Sequence, residues 1–138
     1  MSAFPVIPAS FDRPRGGEVD VLVVAGEHSG DQHAAKVVAD LLAARPGLRV
    51  AAFGGPRLRA AGAQLLFDMT TFSAVGIVEI LSAYPFYRRL FNRMVDWTLQ
   101  WKPKVVVLVD YPGLNLRLAD ELRKAGLSRA GFGGTAVI

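Results

Sequence analysis

Residues 23–31, Val23-Val24-Ala25-Gly26-Glu27-His28-Ser29-Gly30-Asp31, join an apolar run to a polar turn. The apolar run starts at Val19 and predicts a buried parallel strand. Gly26 and Gly30 permit a tight turn, and Asp31 is predicted to cap the helix that follows. Because ligands of α/β proteins bind at the carboxyl ends of parallel strands, this stretch predicts a site after the first strand.

The composition points to one small domain with an anionic partner. The chain has 138 residues, 51% of them hydrophobic, but no apolar segment reaches the roughly 18 residues that cross a bilayer. A net charge of +4 favours nucleic acid, phosphorylated small molecules or an acidic membrane surface. There is no cysteine, which excludes disulfides and thiolate metal sites. The Pro- and Gly-rich residues 1–18 predict a flexible leader and no secretory signal, so we expect a cytoplasmic chain.

Apolar periodicity and Gly or Pro breaks divide the rest of the chain into alternating strands and helices. Helices are predicted over Gln32–Ala44, Tyr84–Trp101 and Leu116–Ala125. A short helix is predicted to end at Ala61, and another helical stretch is predicted to start near Ile77. The strands that follow the first are predicted over Leu48–Phe53, Gln64–Phe67, Val105–Val109 and Thr135–Ile138. This alternation predicts an α/β fold with a doubly wound parallel sheet.

Two carboxylates follow the two most apolar strands. If the strand before Glu27 and the strand before Asp110 are neighbours, both side chains face one crevice. A carboxylate there can act as a general base on a hydroxyl nucleophile or bind sugar hydroxyls. The alternative, that each caps a helix or holds a turn, is equally compatible with the pattern.

The other polar residues near these turns are less specific. The Ser29 hydroxyl is interpreted as a donor to a ligand or to the backbone, because the nucleophile-elbow pattern of hydrolases is absent. His28 and His33 with Asp31 do not make a convincing metal site, and we expect neither metal nor cofactor. The turn Gly54-Gly55-Pro56-Arg57 either places backbone amides and a guanidinium on a phosphate or is a plain strand-to-helix turn.

The helix Tyr84–Trp101 carries an aromatic stripe beside arginines. Periodicity favours a core helix, but Phe86 and Phe91 lie off the stripe. Excess aromatic surface beside basic residues is typical of a helix that contacts anionic lipid, and a partner interface is a third reading. Nucleic acid is not favoured, since no recognition motif accompanies the basic residues.

Several separated motifs share their order and spacing with one known family. They are Ala25-Gly26-Glu27 with Ser29-Gly30-Asp31, then Gly54-Gly55-Pro56-Arg57, then Val75-Gly76-Ile77-Val78-Glu79-Ile80, then Lys102-Pro103 before Val109-Asp110 with Pro112 and Asn115. Over residues 19–127 the chain resembles the amino-terminal half of lipid-A-disaccharide synthase. The resemblance implies a Rossmann-like domain of a two-domain GT-B glycosyltransferase at the cytoplasmic side of the inner membrane. It would join UDP-2,3-diacylglucosamine to 2,3-diacylglucosamine 1-phosphate and release UDP.

The resemblance also implies roles for individual residues. Asp110 would be the general base that activates the acceptor hydroxyl, and Glu27 would bind or orient substrate in the same cleft. The expected substrate-binding residues are Ser29, Gly30, Asp31, Gly54, Gly55, Arg57, Glu79 and Asn115. The expected membrane-facing residues, which would meet an anionic inner-membrane surface, are Phe86, Arg88, Arg89, Phe91 and Arg93.

The match fails after Gly126. Residues 128–138 diverge from the family, and the donor-binding carboxyl-terminal domain of GT-B enzymes has no counterpart in this sequence. We therefore expect a truncated chain that is inactive alone or that needs a separate carboxyl-terminal half. Alternatives are a non-catalytic module that binds acceptor or membrane, and a fragment without a function of its own that exposes apolar surface.

Overall fold

The computed structural model describes residues 6–70, 84–109, 112–125 and 136–137. A single turn of 3-10 helix, Arg15–Gly17, precedes the first strand. The elements that follow are β1 (Val21–Ala25), α1 (His28–Ala44), β2 (Val50–Gly54), α2 (Pro56–Ala60), β3 (Gln64–Asp68), α3 (Tyr84–Trp101), β4 (Val105–Val109), α4 (Pro112–Lys124) and β5 (Ala136–Val137).

The five strands form one parallel sheet in the order β3-β2-β1-β4-β5. The chain moves from β1 outward to β3, then crosses back so that β4 lies on the other side of β1. This order confirms the predicted α/β, doubly wound, Rossmann-like fold. The strand expected near residue 135 is also present, since β5 pairs with the start of β4.

Hydrophobic clusters lie on both faces of the sheet. On one face, α1 and α2 pack through Ala34, Val38 and Leu58 against β1 and β2. On the other face, α3 and α4 pack through Met94, Trp97 and the two buried leucines of α4. All five residues of β1 are buried, as expected for a strand covered on both faces.

Helix boundaries follow local chemistry. Helix α1 begins at His28, four residues before the predicted start. Gly30, which the sequence predicted to be in a turn, lies inside the helix on its buried side. Helix α4 begins at Pro112, since proline is well accommodated at the first helical position. Helix α3 ends as predicted: Lys102 has a left-handed φ of 44°, and Pro103 prevents continuation.

Residues 6–18, the described part of the expected flexible leader, pack against the domain. Phe11 is only 7% exposed and meets the Phe53 ring edge-on, with ring centroids 4.9 Å apart. The Trp97 indole N–H donates to the Asp12 carbonyl at 2.9 Å. We call residues 6–18 the amino-terminal strap, because they cross the face of the sheet that carries α3.

Predictions that fall on residues 71–83 and 126–135 lie outside the described residues. They include the helix near Ile77 and the Glu79 assignment.

Candidate functional site

The carboxyl ends of β1 and β4 are adjacent. Ala25, the last residue of β1, is the register partner of Val109, the last residue of β4. This point lies where the strand order reverses, which is where α/β sheets form their ligand crevice. The condition stated from the sequence, that these two strands are neighbours, is therefore met. Asp110 follows Val109 in the sequence but is outside the described residues.

Glu27 lies two residues beyond the end of β1, at this edge of the sheet. It occupies the N-cap position of α1 with extended backbone, but its side chain makes no capping hydrogen bond. Its carbonyl accepts the Asp31 amide at 2.9 Å, and its carboxylate is exposed. The alternative that the Glu27 side chain serves only as a helix cap therefore loses its basis.

The first turn of α1 divides into an exposed and a buried side. His28 and Ser29 are exposed, whereas Gly30 and Asp31 are buried. Neither the Ser29 hydroxyl nor the His28 ring hydrogen-bonds to any residue in the part of the chain that the structure describes. Both side chains are thus accessible to a ligand at the carboxyl edge.

The sequence predicted that Asp31 caps α1, but Asp31 lies inside that helix and does not cap it. Its carboxylate instead accepts backbone N–H groups at the start of α2, from Gly55 at 3.0 Å, Arg57 at 3.0 Å and Leu58 at 3.1 Å. This role of Asp31 could not be predicted from the sequence, because the backbone groups that it binds are 24 to 27 residues away. These contacts favour a structural role for Asp31.

The same contacts revise the phosphate interpretation of the turn Gly54-Gly55-Pro56-Arg57. Its amides already donate to Asp31, and Pro56 has no N–H to offer. The Arg57 side chain is exposed and forms no ion pair or hydrogen bond within the described ranges. Only the Arg57 guanidinium of this turn is therefore available for an anion.

The expected membrane-facing residues do not behave alike. Phe86 is only 8% exposed and belongs to the hydrophobic core. Its ring also packs edge-on against the Tyr87 ring. Phe91 is half-buried and packs against the same core, and the Arg117 guanidinium lies 5.8 Å from its ring centroid. These contacts leave little of either ring for insertion into lipid.

The three arginines of that set also differ. Arg93 donates to the Pro8 carbonyl of the amino-terminal strap. Arg88 and Arg89 are exposed, and neither forms an ion pair with a described residue. These two side chains are the accessible part of the predicted basic face.

Over the described ranges, no three His, Asp or Glu side chains cluster as metal ligands do. No helix there is both long and apolar enough to cross a membrane. A cavity of about 140 Å³ lies at the opposite, amino edge of the sheet, between the strap and β2, and holds none of the predicted site residues.

Sequence comparisons identify the group of proteins to which this chain is similar. The model of a family described as lipid-A-disaccharide synthetase matches residues 21–130. A lipid-A-disaccharide synthase of Myxococcus xanthus is 46% identical over 107 residues, which cover 78% of this chain and 28% of the relative. Lipid-A-disaccharide synthase 1 of Legionella pneumophila strain Lens is 42% identical over 104 residues, covering 75% and 27%. A Nitrosococcus oceani relative is 40% identical over 107 residues, with coverage of 78% and 28%.

The chain spans little more than a quarter of the length of these relatives. The family match includes both strands that border the crevice and the turn that carries Glu27. The chain therefore belongs to the lipid-A-disaccharide synthase family.

Proposed function

We propose that this chain forms part of the acceptor side of a lipid A glycosyltransferase. It would act on UDP-2,3-diacylglucosamine and 2,3-diacylglucosamine 1-phosphate to give the lipid A disaccharide and UDP. The observation that carries the proposal is the register of β1 with β4, in which Ala25 lies opposite Val109. That register brings the backbone before Glu27 next to the backbone before Asp110.

The proposed reaction is a displacement at the anomeric carbon of the donor sugar. Asp110 takes the proton of the acceptor's 6-hydroxyl as its oxygen attacks that carbon. The bond from the anomeric carbon to the phosphate oxygen of UDP breaks, and UDP leaves with the electron pair. Glu27 orients the acceptor by accepting hydrogen bonds from the hydroxyls of the acceptor sugar. The Glu27 carboxylate is suited to this role because it is exposed and makes no capping hydrogen bond.

Binding of the acceptor would use the exposed groups at the carboxyl edge. The Ser29 hydroxyl meets the sugar, and the Arg57 guanidinium meets the phosphate, for which its planar fork of donors is suited. Gly30, Gly54 and Gly55 are buried, so they would support this edge through close packing of the backbone and not through contact with the ligand. Glu79 and Asn115 are included among the proposed substrate-binding residues only because of their positions in the motifs shared with the family.

The donor half of the site would come from the part of the family's length that this sequence does not span. The relatives extend well beyond the portion that this chain matches. In GT-B enzymes the carboxyl-terminal domain supplies most of the nucleotide-sugar site, as the resemblance implies. Turnover is therefore proposed to require that portion together with residues 1–138.

Reconstitution tests this function. The chain is mixed with the carboxyl-terminal portion of the Myxococcus xanthus relative, and UDP release is measured with both acylated sugars. We expect release from the mixture, and a loss of about 100- to 10,000-fold for Asp110→Asn, because the general base is removed. Asp120→Asn, which removes a partly exposed carboxylate of α4 that pairs with Arg123 and Lys124, is the matched control.

Two results would overturn the proposal. One is the absence of UDP release although both polypeptides are folded and the acceptor binds. The other is an Asp110→Asn mixture as active as the Asp120→Asn mixture.

A second candidate function is a non-catalytic module that binds the anionic inner membrane from the cytoplasmic side. The exposed Arg88 and Arg89 on α3, neither of them in an ion pair with a described residue, favour it. Juxtaposed arginines attract anionic lipid headgroups without insertion of a helix. This peripheral location is compatible with the glycosyltransferase proposal, because both substrates carry acyl chains.

A further inference from the structure

Asp31 is a buried carboxylate without a cationic side chain beside it among the described residues. It is 1% exposed, although a charged group is rarely buried so deeply without compensation. Compensation comes from three backbone N–H groups, two on one oxygen and one on the other. These charge-assisted bonds reach from the first turn of α1 to the start of α2.

The three amides need such an acceptor. The first N–H groups of any helix lack an intrahelical partner, and the N-cap of α2 is Gly55, which has no side chain to supply one. Asp31 therefore acts as an N-cap from another helix. Its negative charge also faces the positive end of the α2 backbone.

The packing around Gly55 leaves no room for a side chain. A Cβ on Gly55 would lie 2.5 Å from an Asp31 carboxylate oxygen and 2.7 Å from the Thr70 methyl. The Met69 amide donates to the Gly54 carbonyl at 2.6 Å. The segments that follow β1, β2 and β3 thus converge on one point.

Arg57 is the exposed side chain that this arrangement holds in place. Its own amide donates to Asp31, so the direction of its Cα–Cβ bond follows from the position of the carboxylate. We infer that Asp31 is a positioning residue, which acts through the backbone of α2 to present the Arg57 guanidinium to the phosphate of the acceptor. The inference rests on the proposed function. In it, contrary to the expectation from the sequence, Asp31 does not touch the substrate but holds Arg57 where Arg57 can contact the acceptor phosphate.

A double-mutant cycle tests this link. Affinity for 2,3-diacylglucosamine 1-phosphate in detergent micelles is measured for the unaltered chain, Asp31→Asn, Arg57→Ala and the double variant. Asparagine presents an N–H group to at least one of the amides, so the turn loosens. We expect about tenfold weaker binding for each single variant and no further loss in the double variant, because both changes remove the same contact.

Two controls separate positioning from a general loss of stability. Val38→Ala removes buried core packing of α1 without touching the turn, and Arg59→Ala removes an exposed arginine of α2. Both are expected to bind the acceptor within about twofold of the unaltered chain. If Asp31→Asn weakens binding equally with and without the Arg57→Ala change, the inference is overturned while the proposed function stays intact. No binding by the unaltered chain would overturn both.

Hydrogen exchange on the unaltered chain provides a test that needs no variant to fold. The amides of Gly55, Arg57 and Leu58 are expected to exchange at least roughly 100-fold more slowly than an unprotected backbone, although first-turn amides are usually open to water. Unprotected exchange at these three amides would contradict the role assigned to Asp31.

Discussion

At the scale of single residues, Asp20 joins strands at the amino edge of the sheet as Asp31 joins segments at the carboxyl edge. The Asp20 carboxylate accepts the Arg49 backbone N–H at 2.8 Å, beside the start of β2. It also pairs with Lys104 at 3.1 Å, beside the start of β4. The Arg49 hydrogen bond and then Lys104 hold the pKa of Asp20 below its usual 3.8.

This depressed pKa predicts a pH-dependent stability. The folded chain binds a proton at Asp20 less readily than the unfolded chain, so the contribution is complete above about pH 4 and is lost as the pH falls through the folded pKa. At pH 7, Asp20→Asn should lower the free energy of unfolding by about 1 to 2 kcal/mol. At about pH 3 the difference should shrink, because the unaltered carboxylate becomes protonated as well.

Urea denaturation at both pH values measures this effect. Asp40→Asn is the control, since Asp40 is exposed on α1 and forms no ion pair with a described residue. A gap between Asp20→Asn and the unaltered chain that stays constant across this pH range would contradict the prediction.

At the scale of elements, the amino-terminal strap stabilises α3 and the edge strand β3. Phe11 packs between rings of β2 and β3, with its centroid 5.9 Å from that of Phe67. Gln64 at the start of β3 donates to the Arg13 carbonyl at 3.0 Å. The strap therefore packs against one face of β3 and is joined to the first residue of this edge strand.

Removal of the Phe11 ring should destabilise the whole domain. Phe11→Ala leaves a cavity against Phe53 and Phe67, and we expect a loss of about 3 kcal/mol. Thermal unfolding followed by circular dichroism should show a midpoint lower by roughly 10 °C. Val6→Ala, at a side chain that is 89% exposed, is the control. A midpoint for Phe11→Ala within the error of the Val6→Ala midpoint would show that the strap does not stabilise the domain.

At the scale of the whole molecule, the sheet separates the charged surfaces. Helices α1 and α3 pack on opposite faces, so Arg88 and Arg89 lie across the sheet from Lys36 and Arg45, which belong to α1 and its C-cap. Both pairs carry two positive charges. A comparison between them therefore distinguishes a located membrane surface from the general effect of a net charge of +4.

Co-sedimentation with vesicles that contain anionic phospholipid makes this comparison. Replacement of Arg88 and Arg89 by Ala should weaken binding by about 10- to 30-fold, since each basic residue near such a surface contributes about 1 kcal/mol. The same replacement at Lys36 and Arg45 should have a much smaller effect. Equal losses for the two pairs would leave the α3 surface without a specific role.

Several parts of this fold are predictable because their signals are local. The unbroken apolar run of β4 and the three-and-four spacing of α3 give element bounds that agree with the structure. The adjacency of β1 and β4 was only a condition at the level of sequence, because the handedness of crossovers does not determine the strand order. The partners of Asp31 and the packing of Phe11 are not predictable in this way, because both depend on contacts between segments far apart in sequence and neither leaves a periodic pattern.

The position of Phe11 also bears on how relatives are to be compared. The family match begins at residue 21, whereas the hydrophobic core already includes Phe11 in the strap. The matched segment therefore does not include all of the residues that form the hydrophobic core of this chain. A chimera joined at residue 21 would bring a foreign leader to Phe53 and Phe67, and its success would depend on whether that leader supplies an aromatic ring of its own.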